Sequence, residues 1–401
     1  MKILVINTGS SSLKYQLFFM DTSEVLAAGL IEKIGESSSV ITHRKHPYRT
    51  DGSKVSKEQA ITGHKAAISI MIDLLTDKNT GVIETKKDIT AIGHRVVHGG
   101  EAFHEPVVID QDVIRAIQEH APLAPLHNPA NLIGIEACQE SFPGIPQVAV
   151  FDTAFHQTIP PRAFHYAIEH ELYEKYKVRR YGFHGTSHKY VAFQTAKFLN
   201  TTLDTLNLIT IHLGNGSSMA AIQNGKCIDT SMGMTPLEGI VMGTRSGDID
   251  PGILFFLANE LKMNIAELDT LLNKKSGLKG LCGTNDMRDV LEKRKAKDPK
   301  ASLAFDLYAY RIKKYIGAYF AALGKLDAIV FTGGIGENSS DIRKGACENL
   351  EALGISISDG LNQINNGQSR SIHSDDGKVK ILVIPTNEEL QIAKGTMEVI
   401  G

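Results

Sequence analysis

The chain has 401 residues, 42% of them apolar and 22% charged, with a formal net charge of −2. That is too long for one ordinary core, so two domains of about 150 to 250 residues are expected, and the near-neutral balance offers no basic field for nucleic acid or anionic lipid. No apolar run approaches the ~20 residues of a membrane span, and no signal sequence is expected before the first strand. Cys138, Cys227, Cys282 and Cys347 form no Cys-x-x-Cys pair, so a reduced, cytoplasmic protein is expected, with neither nucleic acid nor membrane as partner.

The apolar strand Ile3-Leu4-Val5-Ile6 runs straight into Asn7-Thr8-Gly9-Ser10-Ser11-Ser12-Leu13-Lys14. Glycine lets the backbone fold around an anion, serines and exposed N–H groups donate to it, and the lysine adds a point charge, so the turn is expected to cradle phosphate. An ordinary hairpin turn has the same composition. Further strands are expected over residues 13–19 and 25–34, then a solvent-facing excursion over 35–59 with room for short strands. Residues 62–75 have helical periodicity, and 89–97 reads as a buried strand.

That strand delivers Gly93-His94-Arg95-Val96-Val97-His98-Gly99-Gly100. A guanidinium among apolar residues needs a carboxylate or phosphate for its fork of donors, so Arg95 is expected to face an anion, the alternative being an internal salt bridge. Asp110 is expected to open one helix and Asn128-Pro129 to cap and start the next, with the stiff apolar loop around Leu126 walling a small pocket. The strand 147–151 ends in Asp152, which at the carboxyl end of an α/β strand either positions a nucleophile, shares a magnesium shell or merely caps a turn.

His184, flanked by glycines, comes shortly before a Thr186-Ser187 helix cap, a favourable place for developing negative charge. It is either a donor to a transferring phosphoryl group or a structural histidine. Half the chain after the first turn, the strand Leu208-Ile209-Thr210-Ile211 enters His212-Leu213-Gly214-Asn215-Gly216-Ser217-Ser218 and then a second strand. Matching strand-turn-strand units imply a duplicated architecture whose halves face each other across a cleft and hold phosphates from both sides.

Residues 229–251 are dense in glycines, acids and hydroxyls and carry Arg245, a second candidate anion clamp. Residues 283–288 open a helix, a long helical pattern covers 299–323, and the strand 327–331 meets Thr332-Gly333-Gly334-Ile335-Gly336-Glu337-Asn338, a strand, glycine turn and helix start suited to a base or ribose. It is neither Walker A nor the dinucleotide fingerprint. After a last strand over 379–384, Thr386 and Glu389 have capping-box spacing, leaving Glu388 for a metal or its water shell.

Together the segments 7–14, 94–100, 151–160, 180–188, 212–218, 229–251, 332–339 and 386–389 resemble the acetate kinase family from end to end. The resemblance implies an α/β fold of two duplicated actin-like, sugar-kinase-like (ribonuclease H-like) domains, 1–152 joined by a C-terminal helix 386–401, and 153–385. It implies reversible phosphoryl transfer from ATP to acetate, with propionate and butyrate kinases sharing the pattern, and a homodimer using Mg2+ for which Mn2+ substitutes. By matching positions, Arg95 and Arg245 would hold carboxylate and phosphoryl group, His184 would stabilise the transition state and Asp152 would be the essential acid. Asn7 and Glu388 would serve the metal, and Ser12 and Lys14 the phosphates. His212, Leu213, Gly214, Asn215, Gly216, Asp286, Met287, Arg288, Gly334, Ile335, Gly336, Glu337 and Asn338 would line the ATP site. Val97, Leu126 and Pro236 would enclose the acetate methyl.

Overall fold

The computed structural model describes residues 1–125 and 127–401; Leu126, expected in the acetate pocket, lies outside the described residues. The chain divides into two compact units, Met1–Ala154 with Asn387–Gly401, and Phe155–Thr386.

The first unit is built on an eight-stranded sheet: β1 (Lys2–Gly9), β2 (Ser12–Phe19), β3 (Glu24–Glu32), β4 (Ser39–Lys45), β5 (Ser53–Gln59), β6 (Ala91–Val96), β7 (Val107–Val108) and β8 (Gln147–Phe151), in the order β5-β4-β3-β2-β1-β6-β8-β7. The excursion over 35–59 is thus two further strands at the sheet edge, and β5 stays almost wholly exposed. Side chains alternate faces along a strand, which explains why β1 is apolar throughout. Ile3 and Val5 pack with Ile392 and Ala393 of the C-terminal helix, while Leu4 and Ile6 pack with Ile68 and Met71 of the helix His64–Thr76 and with Ala137 of Asn128–Ser141.

The second unit repeats the plan with β9 (Asn207–Leu213), β10 (Ser217–Gln223), β11 (Lys226–Thr230), β12 (Ala328–Thr332), β13 (Arg370–Ser371) and β14 (Lys380–Val383), ordered β11-β10-β9-β12-β14-β13. In both sheets the opening strand pairs antiparallel with its hairpin partner and parallel with the next long strand, and a short antiparallel strand closes the far edge. The duplicated α/β architecture expected from the two glycine turns is therefore present, with β3-β2-β1-β6-β8-β7 matched by β11-β10-β9-β12-β14-β13 and β4 and β5 added in the first unit. One face is covered by the helix Pro299–Leu323, the other by Gly185–Phe198.

Three helix starts differ from expectation. Asn128 does not cap; the helix begins on it, and its amide instead accepts from His98 N at 3.1 Å and donates to His98 O at 2.9 Å. The Thr386/Glu389 capping box does not form. Asn387 caps the helix Glu388–Ile400 by accepting from Leu390 N, Thr386 Oγ1 meets Ser187 Oγ, and Glu389 pairs with Lys14. The Thr186-Ser187 cap is also absent, because the helix starts at Gly185 with left-handed His184 ahead of it. In each case a tertiary partner outbid the local cap, since these side chains bond whichever backbone or hydroxyl group lies nearest.

Candidate functional site

In the second unit a cavity of about 570 Å³ is lined by Gly214 and Asn215 from the β9–β10 turn, Asp286, Met287 and Arg288 from the start of the helix Met287–Lys295, and Gly334, Ile335 and Asn338 beyond β12. Three distant segments expected to share a nucleotide thus line one cavity, of the size and mixed character of a small-ligand pocket. Gly333 has φ 76°, and a Cβ there would stand 2.7 Å from Leu213 O, so the turn beneath the cavity requires glycine.

Some expected nucleotide residues also serve the scaffold. Leu213 is fully buried in the hydrophobic core. Glu337 Oε1 accepts from Gly333 N at 2.9 Å and from Thr386 N at 3.1 Å. Gly336 is buried. His212, at the end of β9, stacks on His184 with ring centroids 4.4 Å apart, and its Nδ1 lies 2.8 Å from Ser187 Oγ.

His184 and Arg245 meet at Gly216. A Cβ on this glycine would lie 3.3 Å from His184 Nε2 and 3.5 Å from Arg245 Nη1, so the turn that precedes the Ser217-Ser218 pair is flanked by an imidazole and a guanidinium. Arg245 is half-buried, donates to Pro236 O at 3.2 Å and touches Met242 Sδ at 3.7 Å. No carboxylate meets it among the described residues, and burial lowers its pKa. A guanidinium so placed is a receptor for an oxyanion. Its loop is held by Arg180, which donates to the carbonyls of Thr230, Ser231 and Met232 and to Glu238 Oε1 at 2.5 Å.

In the first unit, Arg95 makes the internal ion pair weighed as the alternative. Nη2 and Nε reach Asp152 Oδ2 at 2.5 and 3.1 Å, with the arginine side chain 21% and the aspartate 1% exposed. Asp152 therefore orients Arg95, and its backbone N–H donates to Val96 O, joining the ends of β8 and β6. Val97 N donates to Asn131 Oδ1 at 3.1 Å, and Asn131 Nδ2 to Thr8 O at 2.9 Å, so one amide ties the ends of β6 and β1.

Glu388 lies near this pair. Burial, then the charges of Asp152 and Glu389 against those of Arg95 and Lys14, raise its pKa from 4.5 to about 7. A divalent cation would relieve that penalty, and the oxygen donors Glu388 and Asn7 suit a hard ion that keeps waters and phosphate oxygens in its shell. No group of three or more His, Cys, Asp or Glu is arranged to hold a metal by itself among the described residues. The sign of the linkage is testable. A carboxyl whose folded pKa exceeds its unfolded one favours folding while protonated, so metal-free protein is expected to lose stability as pH rises from 4.5 through 7, by at most about 3 kcal/mol from this group. Thermal unfolding of Glu388→Gln between pH 5 and 8 checks it: the variant is expected to gain on the wild type as pH rises, and parallel profiles would refute the assignment.

The sequence reading missed Arg343. Its side chain is fully buried, its Nη1 donates to Gly336 O at 2.9 Å and Glu337 O at 3.0 Å, and its Nε to Asn362 Oδ1 at 2.7 Å. Arg370 Nη2 adds a bond to Glu337 O at 3.0 Å. Two guanidinium groups thus fix the turn under the cavity. The signal was present, because Arg343 stands four residues before Cys347 on the buried side of its helix.

The comparisons with known proteins agree along the whole length. The model of the Acetokinase family matches residues 2–394. The chain is 54% identical to the acetate kinase of Oleidesulfovibrio alaskensis over 400 residues, covering 100% of both chains. The crystal structure of Porphyromonas gingivalis acetate kinase superposes with a TM-score of 0.94 at 45% identity, covering 100% of each chain. A propionate kinase from Francisella tularensis gives 0.93 at 44% identity, covering 99% of each. A family model spanning nearly every residue, and relatives this similar over their full length, place the chain in the acetokinase family.

Proposed function

We propose that this chain catalyses reversible transfer of the γ-phosphoryl group of ATP to acetate, giving acetyl phosphate and ADP, with Mg2+ as the divalent ion. The observation that carries the reading is Arg245: a half-buried guanidinium whose partners among the described residues are a carbonyl and a thioether, sharing Gly216 with His184. Acetate is already an anion and needs no strong base, so the barrier is the approach of two negative reactants, and fixed cations answer it. Arg245 and the His184 N–H hold the transferring phosphoryl oxygens, and Arg95, aimed by Asp152, holds the acetate carboxylate. Val97 and Pro236 border the methyl group, with Leu126 as the third expected wall. Gly214, Asn215, Asp286, Met287, Arg288 and the 334–338 turn carry the nucleotide, with Ser12 and Lys14 on the phosphate side. Glu388 and Asn7 would hold the metal, which supplies charge neutralisation on the phosphates.

Two further attributes fit this reading. The helix Gly252–Glu260 buries none of its residues and exposes Ile253, Phe255 and Phe256, as expected of a homodimer's contact face. All four cysteines are buried and unpaired, in keeping with a cytoplasmic location; no helix among the described residues is long and apolar enough to cross a membrane.

Incubation with ATP, Mg2+, acetate and hydroxylamine tests the activity, since acyl phosphate is trapped as hydroxamate. Acetate-dependent hydroxamate is the expected result, and ATP turnover indifferent to acetate would overturn the proposal. The likeness to a propionate kinase keeps a second acceptor in view. One methylene in an apolar pocket changes selectivity by about 1–3 kcal/mol, so the same assay with propionate and butyrate sets the acceptor preference.

A further inference from the structure

Behind His184 lies a chain of buried side chains that the reaction as described does not use. His184 Nδ1 is 2.9 Å from Ser218 Oγ, the same Oγ is 2.8 Å from His188 Nε2, and His188 Nδ1 is 2.7 Å from Thr210 Oγ1. Thr210, His188 and Ser218 are fully buried. They come from three elements: Thr210 from β9, Ser218 from β10, and His188 from the helix Gly185–Phe198, one turn beyond His184. Burial, with His156 and His212 nearby, drives the His188 pKa well down, so this ring is neutral and carries one N–H.

Counting protons along the chain leaves one satisfactory polarity. Among the described residues the Thr210 hydroxyl has His188 Nδ1 as its single side-chain or backbone partner, so its hydrogen points there; the reverse direction would bury that hydrogen without an acceptor. His188 then carries its proton on Nε2 and donates it to Ser218 Oγ. The Ser218 hydroxyl, having accepted from His188, donates its own hydrogen to His184 Nδ1. A neutral imidazole that accepts at Nδ1 bears its hydrogen on Nε2, the atom facing Gly216 beside Arg245.

We propose that Thr210, His188 and Ser218 are positioning residues that fix His184 in the Nε2–H tautomer, so that it presents a neutral hydrogen-bond donor to the transferring phosphoryl group. The inference deepens the phosphotransfer reading and rests on it for its purpose. No proton changes owner: forming the His184 imidazolium would require Ser218 to turn its hydrogen away from Nδ1, so the relay holds the ring as a donor that stabilises charge without giving up its proton. The left-handed backbone of His184, φ 56°, is the local strain accepted to bring its ring over Ser218.

Two-bond nitrogen–proton correlation spectra of the full chain with labelled histidine read the tautomer directly, without substrate or metal. The expected wild-type result is His184 protonated on Nε2 and bare on Nδ1; protonation on Nδ1, or on both nitrogens at neutral pH, overturns the proposal. Thr210→Val removes the first donor while keeping the shape. It is expected to mix the His184 tautomers and lower kcat about tenfold, the value of one neutral hydrogen bond, with the KM values for ATP and acetate little changed. Thr210→Ser is expected to restore both readouts, and a valine variant with wild-type tautomer and kcat would refute the relay. If the wild type forms no acyl phosphate, the functional reading fails while the spectra still decide the tautomer.

Discussion

Replacing Arg245 by alanine is expected to lower kcat by about 10³-fold while leaving KM for ATP within a few-fold of the wild type. The reasoning is differential. In the proposed reading nucleotide is held largely by the cavity around Asp286, Arg288 and Gly334, so ground-state binding is expected to survive, whereas the phosphoryl group acquires its need for cationic donors as the bond breaks. Arg245 engages no carboxylate in the described structure, so its removal strands no buried acid and the fold persists; thermal unfolding within about 1 kcal/mol of wild type is the control. Arg245→Lys keeps the charge but loses the planar fork, and an intermediate rate is expected. Steady-state kinetics with saturating acetate decide the matter: a kcat within tenfold of wild type would remove Arg245 from the chemistry.

Asp152→Ala is expected to damage both stability and turnover. The carboxylate is 1% exposed and takes two donors of Arg95, so deleting it leaves a largely buried guanidinium uncompensated, at a cost of about 3 kcal/mol or a drop in Tm of roughly 6–12 °C. Released from its partner, Arg95 no longer presents a fixed fork, and KM for acetate is expected to rise at least about tenfold together with a fall in kcat. Asp152→Asn separates the effects. It keeps the shape and one acceptor, so Tm is expected to recover more than activity does. Full activity in the asparagine variant would show that the charge of Asp152 is dispensable.

The elements that were legible in the sequence are those whose signal is local and repeated. The run Ile3–Ile6 and its counterpart Leu208–Ile211 are apolar because both faces of their strands are covered, and each is followed at once by a glycine turn, so the duplication could be read without coordinates. Convergence of 214–215, 286–288, 334–335 and 338 on one cavity was expected from the family resemblance, because the segment 283–288 read by itself only as a helix start. Partner choice was less legible. Whether Arg95 would meet a ligand or Asp152 depends on β6 and β8 lying side by side, which no local spacing encodes. The displaced caps at Asn128, Thr386 and Ser187 failed for the same reason: each side chain found a partner from a distant segment. The relay through Thr210, His188 and Ser218 draws on two strands and a helix, and none of the three residues is remarkable alone.

The helix Glu388–Ile400 belongs to the first unit although the whole second unit separates it in sequence from Met1–Ala154. During synthesis, the apolar side of the first sheet made by Ile3, Val5, Val148 and Val150 waits uncovered until residues 388–400 leave the ribosome, while the contiguous second unit completes itself earlier. Nascent chains halted just short of residue 388 would therefore expose a sticky surface, which makes them targets for chaperones and prone to aggregate.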